Sequence, residues 1–207
     1  MNLDAALTLV ITELCLDRGG RRVLSGISAK VAGGEALVVT GRNGAGKSTL
    51  LRAIAGLLPV AGGTIALGGG DPREGADPEQ MHLIGHRNAM KPQFTVIQNA
   101  HFWAGWQGGA DGAMTRAEDA LETVGLLELA DSPAEFLSQG QLRRLALARL
   151  AAAPRPLWLL DEPVAGLDAA SRAMFAQMMH AHLGGGNMIV AATHEALGLE
   201  AARGLTL

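Results

Sequence analysis

The sequence of 207 residues has no tyrosine, a single cysteine, few aromatic side chains (3%) and few charged ones (18%). The lone Cys15 excludes an internal disulfide framework and a metal site built from several cysteines. The 17 basic and 20 acidic residues give a net charge of −3, which argues against a basic surface that drives nucleic-acid binding. We therefore expect no nucleic-acid partner.

Long hydrophobic runs are also missing, although the mean hydropathy is +0.20. The longest apolar runs, such as Ala36–Thr40 and Pro156–Leu160, have the length of buried strands, whereas a membrane-spanning helix needs about 18 apolar residues. The segment Met1–Val10 carries Asp4 and lacks a basic start, so we expect it not to be a signal peptide. The length fits one domain covering residues 1–207, in a cytosolic protein with no membrane span of its own.

Short apolar runs alternate with longer helical patterns along the chain. This alternation is typical of an α/β fold with a parallel sheet. The predicted strands are Glu35–Thr40, Thr64–Leu67, Met81–Gly85, Leu157–Leu160 and Asn187–Thr193, and the predicted helices are Ser48–Leu58 and a segment from near Asp168 to Gly184. Residues 95–150 are predicted as a helical insert, and Gly68–Pro78 is the most linker-like stretch.

A phosphate-binding loop lies between the first of these strands and its helix. The segment matches the pattern G-x-x-x-x-G-K-[ST] in the strand–loop–helix context that the pattern requires. Its candidate ligand-binding residues are Gly41, Arg42, Asn43, Gly44, Ala45, Gly46, Lys47, Ser48 and Thr49. The glycines allow backbone N–H groups to surround phosphate oxygens at a helix N-terminus. Lys47 is expected to reach the β- and γ-phosphates, and the Ser48 hydroxyl to bind Mg²⁺.

Two acids follow the buried strand Leu157–Leu160. Asp161, at the strand end, is a candidate Mg²⁺ ligand, and Glu162 is a candidate general base for an attacking water. Both should lie near the phosphate loop, because open α/β sheets bind ligands at the carboxyl ends of their strands. The alternative is an ordinary strand exit with two solvated acids, which the presence of the phosphate loop disfavours.

The segment Leu137–Gln141 resembles the LSGGQ signature of ATP-binding-cassette (ABC) ATPases, with Gln139 in place of the first glycine. The resemblance covers essentially the whole chain, and it implies the P-loop NTPase fold of the ABC type, with ATP and Mg²⁺ bound. It further implies a homodimer in which Ser138, Gly140 and Gln141 of one copy close over the γ-phosphate held by the other.

Other positions match this family in order. The loop Ala165–Asp168 resembles the segment that crosses the dimer interface, so Asp168 is a candidate nucleotide-site residue, and His194 resembles the histidine that contacts the γ-phosphate. The aromatic residue that stacks on adenine in the family would fall near Arg18, whose guanidinium plane can also stack on a base. The family's magnesium-sensing glutamine is replaced by His86 or Arg87.

Within this family, four strings resemble the haem exporter ATP-binding subunits of the bacterial cytochrome c maturation system: Gly85–Pro92, His101–Trp103, Pro156–Pro163 and Ala192–Leu199. The resemblance implies an ATP hydrolase that powers haem export, or release of a haem-loaded chaperone, together with integral membrane subunits. It places the protein peripherally on the cytoplasmic face of the bacterial inner membrane. The alternatives are a cassette subunit that exports lipid, lipoprotein or metal, and a soluble cassette ATPase outside transport.

An aromatic stripe lies in the helical insert. His101, Phe102, Trp103 and Trp106 have helical spacing and can share one face. The stripe either packs the helical subdomain or receives a helix from a membrane subunit, and both interpretations are open at this point. Arg143 and Arg144 are expected on a solvated helix face.

Overall fold

The computed structural model of the chain describes residues 7–68 and 77–207. The chain forms two compact units. The first comprises Met1–Gly85, Pro156–Pro163 and Met178–Leu207, and the second comprises His86–Arg155 and Val164–Gln177. Residues 69–76, which make up most of the predicted linker, lie outside the described residues. Residues 1–6, which begin the segment that we expect not to be a signal peptide, also lie outside them. The single-domain extent of 1–207 stays a prediction.

A five-stranded parallel sheet forms the centre of the first unit. Its order is β5-β6-β7-β3-β8, with β3 Ala36–Thr40, β5 Met81–Ile84, β6 Leu157–Asp161, β7 Met188–Ala192 and β8 Arg203–Thr206. Every residue of β6 and β7 is buried, as expected for parallel strands covered on both faces. The predicted parallel sheet is confirmed, and the edge strand β8 is an addition that the sequence pattern did not indicate.

A second, antiparallel sheet belongs to the same unit. It has the order β2-β1-β4, with β1 Thr8–Arg18, β2 Arg21–Ala32 and β4 Gly62–Leu67. Of these strands the sequence indicated only part of β4. The others were missed because β2 is largely exposed and its polar residues interrupt the apolar pattern. Residues of both sheets and of helix α1, Lys47–Ile54, contribute to one hydrophobic core.

Helix α1 is shorter than expected. The prediction of a helix over Ser48–Leu58 is wrong at its C-terminal end, because the helix ends at Ile54. Ala55 caps the helix, and Gly56 then adopts φ +70°. This left-handed backbone at a glycine is a common way for a helix to stop.

Three helices dominate the second unit: α2 Val96–Gly108, α3 Ala113–Thr123 and α4 Gln139–Ala152. They confirm the predicted helical insert. Thr95 and Ser138 each form a capping box, at the start of α2 and of α4 respectively. Arg116 on α3 donates hydrogen bonds to carbonyl oxygens near the ends of the other two helices, including those of Gly108 and Ala152. A fifth helix, α5 Ala169–Gly184, has its residues divided between the two units.

Arg143 does not lie on a solvated face, and the expectation is wrong for this residue, whereas Arg144 is half-buried. Arg143 is only 5% exposed and donates to Oδ1 of Asn88. Arg144 donates to the carbonyl oxygens of Val124 and Gly125, which follow α3. Both guanidinium groups therefore satisfy polar atoms of their own unit.

No helix in the described part of the chain is long and apolar enough to cross a membrane.

A buried histidine stacks on a tryptophan in the first unit. The rings of His182 and Trp158 are nearly parallel, with centroids 3.8 Å apart. Nε2 of His182 lies 3.2 Å from the carbonyl oxygen of Met188. Burial lowers the pKa of His182 from 6.5 to about 4, against the opposing effect of backbone hydrogen bonds to Met188 and Pro156. The imidazole is therefore neutral in the folded protein at neutral pH.

We predict that acid destabilises the protein through His182. Between pH 6.5 and about 4 the unfolded chain binds a proton that the folded chain excludes, so stability present above pH 6.5 is lost as the pH falls through this range. The loss attributable to this group should reach about 3 kcal/mol. Chemical denaturation at several pH values measures it. The variant His182→Gln should show a flatter pH dependence, and an unchanged dependence would contradict the assignment.

Candidate functional site

The candidate site lies at the carboxyl edge of the parallel sheet. The neighbouring strands β6, β7 and β3 end at the same level, since Ala192 is in register with both Asp161 and Val39. The phosphate loop follows β3, Glu162 follows β6 directly, and Thr193 and His194 follow β7. The parallel register thus brings three loops with predicted site residues to one edge of the first unit.

The phosphate loop has the backbone that its glycines allow. Gly41, Gly44 and Gly46 have φ values of +141°, +85° and +104°, a range that side chains disfavour. A Cβ atom at Gly46 would lie 2.8 Å from Cδ2 of Leu24, so a side chain at this position would have to displace the leucine. Helix α1 begins at Lys47, immediately after this turn. The free N–H groups of its first turn and the helix dipole favour a bound anion.

Lys47 is held by acceptors of the loop itself. Its side chain is 8% exposed, and Nζ lies 2.7 Å from the carbonyl oxygen of Gly41 and 3.3 Å from that of Arg42. Nζ also lies 2.8 Å from Nε2 of His194. Because an ammonium can only donate, the ring nitrogen of His194 accepts in this contact. The structure thus brings together two residues that are far apart in sequence.

Glu162 is fixed by contacts with β7 and the residue after it. It has φ +47°, a left-handed conformation that costs a non-glycine residue energy. Its backbone N–H donates to the carbonyl oxygen of Ala192 over 2.8 Å, and its Oε2 accepts a 3.0 Å hydrogen bond from Oγ1 of Thr193. The carboxylate therefore has a defined orientation at the sheet edge.

Thr193 is a site residue that the sequence reasoning missed. Its Oγ1 donates to Glu162 and accepts from the backbone N–H of Glu195, so the hydroxyl joins the ends of β6 and β7. Thr193 is 1% exposed. The sequence feature that could have identified Thr193 was a hydroxyl side chain at the end of a predicted strand, directly before His194.

The residues at this edge include oxygen donors of the kinds that bind Mg²⁺ in proteins. Ser48 lies in the first turn of α1, Asp161 is 6% exposed at the end of β6, and α1 packs against β6. One carboxylate and one hydroxyl, completed by phosphate oxygens and water, form the kind of sphere that Mg²⁺ takes with nucleotides. No cluster of three or more His, Cys, Asp or Glu side chains suited to a metal occurs among residues 7–68 and 77–207.

The remaining predicted site residues belong to the second unit. Ser138 caps helix α4: its Oγ accepts from the backbone N–H of Gln141, whose side chain accepts from the N–H of Ser138. A Cβ at Gly140 would lie 3.4 Å from the carbonyl oxygen of Gly166, so this helix start and the loop Ala165–Asp168 are close. The segment is therefore both a helix cap and an arrangement of N–H groups able to face an anion.

Asp168 caps the start of α5. Its Oδ1 accepts a 2.8 Å hydrogen bond from the backbone N–H of Ser171. This bond, with a further contribution from the charge of Arg144, lowers the pKa of Asp168 below its usual value. The carboxylate is thus ionised at neutral pH and remains exposed.

Other predicted positions have fewer contacts. His86 and Arg87 are exposed in the loop after β5, and Arg18 is exposed at the end of β1. In the aromatic stripe, Trp103 packs under Arg149, whose guanidinium carbon lies 3.6 Å from the ring centroid. Phe102 and Trp106 are 38% and 77% exposed, so only part of the stripe packs the helical unit.

The chain is similar in sequence to known proteins. The family model described as "ABC transporter" matches residues 24–165. The chain is 52% identical to the "Cytochrome c biogenesis ATP-binding export protein CcmA" of Nitrobacter winogradskyi, over 89% of this chain and 90% of the relative. It is 51% identical to the protein of the same name from Chelativorans sp., over 96% of this chain and 97% of the relative.

A solved structure has the same fold. An ABC transporter ATP-binding protein from Pyrococcus furiosus superimposes with a TM-score of 0.82 at 23% identity, covering 97% of each chain. Because the two sequences are only 23% identical, this comparison supports the fold alone, which is that of the ABC-type P-loop NTPases. Together, the family model and the relatives assign the chain to the ATP-binding subunits of ABC transporters, and within them to the family of cytochrome c biogenesis ATP-binding export proteins.

Proposed function

We propose that this chain hydrolyses ATP to power haem export, or release of a haem-loaded chaperone, in cytochrome c biogenesis. The observation that carries the hydrolytic part is the placement of Lys47, Glu162 and His194 on loops that follow three adjacent parallel strands. The biological part is supported by the printed names of relatives about half identical to the chain. Export of lipid, lipoprotein or metal, and a role outside transport, are less consistent with those names.

Lys47 and the phosphate loop bind the triphosphate. The N–H groups at the start of α1 surround phosphate oxygens, and Nζ of Lys47 exchanges its carbonyl acceptors for the β- and γ-phosphates. His194, already 2.8 Å from Nζ, is then placed to contact the γ-phosphate. Ser48 and Asp161 would hold Mg²⁺, which when bound neutralises charge on the phosphate oxygens.

Glu162 acts as the general base. Its carboxylate takes a proton from a water whose oxygen attacks the γ-phosphorus, and the bond to the bridging oxygen breaks, releasing ADP and phosphate. Thr193 positions this carboxylate through the 3.0 Å bond to Oε2. Because the acid sits in a strained backbone conformation, its direction depends on these contacts.

Two copies of the chain are proposed to form a head-to-tail homodimer around ATP. The Ser138 hydroxyl, the N–H group of Gly140 and the N-terminus of helix α4 form an anion site that belongs to the second unit. In the dimer this site would close over the γ-phosphate of the other copy. Asp168, in the loop beside Gly140, would lie at the same interface.

A membrane subunit is the second proposed partner. Phe102 and Trp106 stack with centroids 6.4 Å apart and expose apolar surface on α2. Exposed aromatic patches of this kind are typical of protein interfaces. We propose that this aromatic patch contacts integral membrane subunits, which would hold the chain on the cytoplasmic face of the bacterial inner membrane. In this proposal residues 1–207 form one ABC domain whose helical subdomain spans about residues 95–150.

Substitutions of the base and of its positioning residue test the hydrolytic mechanism. Glu162→Gln should retain ATP binding, lower kcat by about 100-fold or more and favour the dimer, because the amide cannot accept the proton. Thr193→Val should lower kcat by about three- to tenfold with KM unchanged, since the hydrogen bond that orients the Glu162 carboxylate is lost. Steady-state phosphate release measures both, with the exposed Glu200→Gln as control. Unchanged turnover in Glu162→Gln would rule out its role as base.

The biological role and the aromatic patch can be tested together in a bacterium lacking its own ATP-binding subunit for cytochrome c maturation. The wild-type chain should restore covalently bound haem in c-type cytochromes, whereas the double variant Phe102→Ala/Trp106→Ala should not restore it and should be lost from membrane fractions. The purified double variant should keep its ATPase activity. Phe136→Ala, which removes another exposed aromatic of the same unit, serves as control. Failure of the expressed wild-type chain to restore haem attachment would argue against the proposed role.

A further inference from the structure

A lysine ammonium lies against two aromatic rings on the second unit. Nζ of Lys91 is 4.8 Å from the ring centroid of Phe94 and 4.4 Å from that of Phe102. Both distances are within about 6 Å, the range of cation–π contacts. The ring of Phe102 also stacks on Trp106, with 8° between the two planes. Lys91 therefore borders the aromatic patch of Phe102 and Trp106, and Phe94 lies on the other side of the ammonium.

Asn99 fixes the loop that carries Lys91 on helix α2. Asn99 is 2% exposed. Its Oδ1 accepts a 2.9 Å hydrogen bond from the backbone N–H of Lys91, and its Nδ2 donates to the carbonyl oxygens of Lys91 and Thr95, each over 3.0 Å. Because these bonds hold the main chain of the loop, the ammonium is positioned before a partner binds. Less conformational entropy is then lost on binding.

This part of the chain carries positive charge and no acid. Residues 80–110 contain no aspartate or glutamate, and Arg87 and Lys91 are their only arginine and lysine. Lys91 is exposed, as are Phe94 and Phe102. In the described part of the chain, no carboxylate lies within ion-pair distance of the Lys91 ammonium. The ammonium can therefore pair with a carboxylate from another protein.

We infer that Lys91 pairs with an aspartate or glutamate on the membrane-subunit segment that covers the aromatic patch. This inference rests on the proposed function, which places a membrane subunit on Phe102 and Trp106. A segment that covered the patch with apolar groups alone would bury the ammonium without an acceptor, which is unfavourable. A carboxylate supplies that acceptor, while apolar side chains of the same segment contact the exposed rings.

Anionic lipid headgroups are the competing source of negative charge. Proteins that recognise them by charge use clusters of about four to eight lysine and arginine residues, whereas residues 80–110 supply only Arg87 and Lys91. One ammonium held in a fixed position matches one carboxylate on a protein surface, because such pairs set the register between partners. The observed charge therefore favours a protein segment over a lipid surface.

Sedimentation of the purified full chain with inner-membrane vesicles tests the inference. The vesicles come from a bacterium that has the membrane subunits for cytochrome c maturation but lacks its own ATP-binding subunit. Lys91→Met keeps aliphatic contact with the rings and removes the charge, so it should bind these vesicles about tenfold more weakly than the wild type. Lys91→Glu should bind more weakly still, because it opposes two carboxylates. Lys91→Arg keeps both the charge and the cation–π contact, so it should bind like the wild type.

The matched control is Lys30→Met, which removes an exposed lysine from β2 in the first unit and should bind like the wild type. Circular dichroism checks that each variant is folded. The inference is overturned if Lys91→Met binds as tightly as the wild type, or if Lys91→Arg binds as weakly as Lys91→Met. Equal binding of the wild type to vesicles from a strain without the membrane subunits would also overturn it, and would identify lipid headgroups as the ligand. Undiminished binding of Phe102→Ala/Trp106→Ala would instead contradict the proposed docking of the aromatic patch itself.

Discussion

The parallel pairing of β6, β7 and β3 is the constraint on which the site depends. Because Ala192 is in register with both Asp161 and Val39, the three strands end together and their loops share one edge. The contacts between Lys47 and His194 and between Thr193 and Glu162 are possible only in this register. A shift of one residue in β7 would turn its side chains to the opposite faces and separate both pairs.

Several arginine side chains of the second unit contact main-chain carbonyl groups or an aromatic ring of that unit. Arg116 and Arg144 donate to main-chain carbonyl oxygens, and Arg149 covers the ring of Trp103. Burial lowers the pKa of Arg149 to about 10, which still leaves it charged at neutral pH. These guanidinium groups satisfy helix ends and cover an aromatic ring, so their charge serves packing within the unit.

Much of the site could be predicted from the sequence because its residues lie in local patterns. The glycines of the phosphate loop and the acids after β6 have fixed spacing from buried apolar strands, and a strand with both faces covered is easily recognised. Thr193 could not be predicted in the same way, because its role comes from the pairing of β6 with β7. Arg143 was misjudged because its partner, Asn88, is remote in sequence. Strand β2 is largely exposed, and register shifts between Ile11 and Leu14 and between Leu16 and Asp17 interrupt the alternation of buried residues along β1.

In the proposed mechanism, nucleotide binding depends most on Lys47, the phosphate-binding cation of the loop. Calorimetric titration of ATP into the wild-type chain and Lys47→Ala, each checked for folding by circular dichroism, tests this directly. Lys30→Ala, which removes an exposed lysine from β2, is the control. Lys47→Ala should bind ATP about 10- to 100-fold more weakly, because charge-assisted hydrogen bonds are lost. Lys30→Ala should bind ATP with the affinity of the wild-type chain. Equal affinity in all three proteins would contradict the assignment of this loop as the nucleotide site.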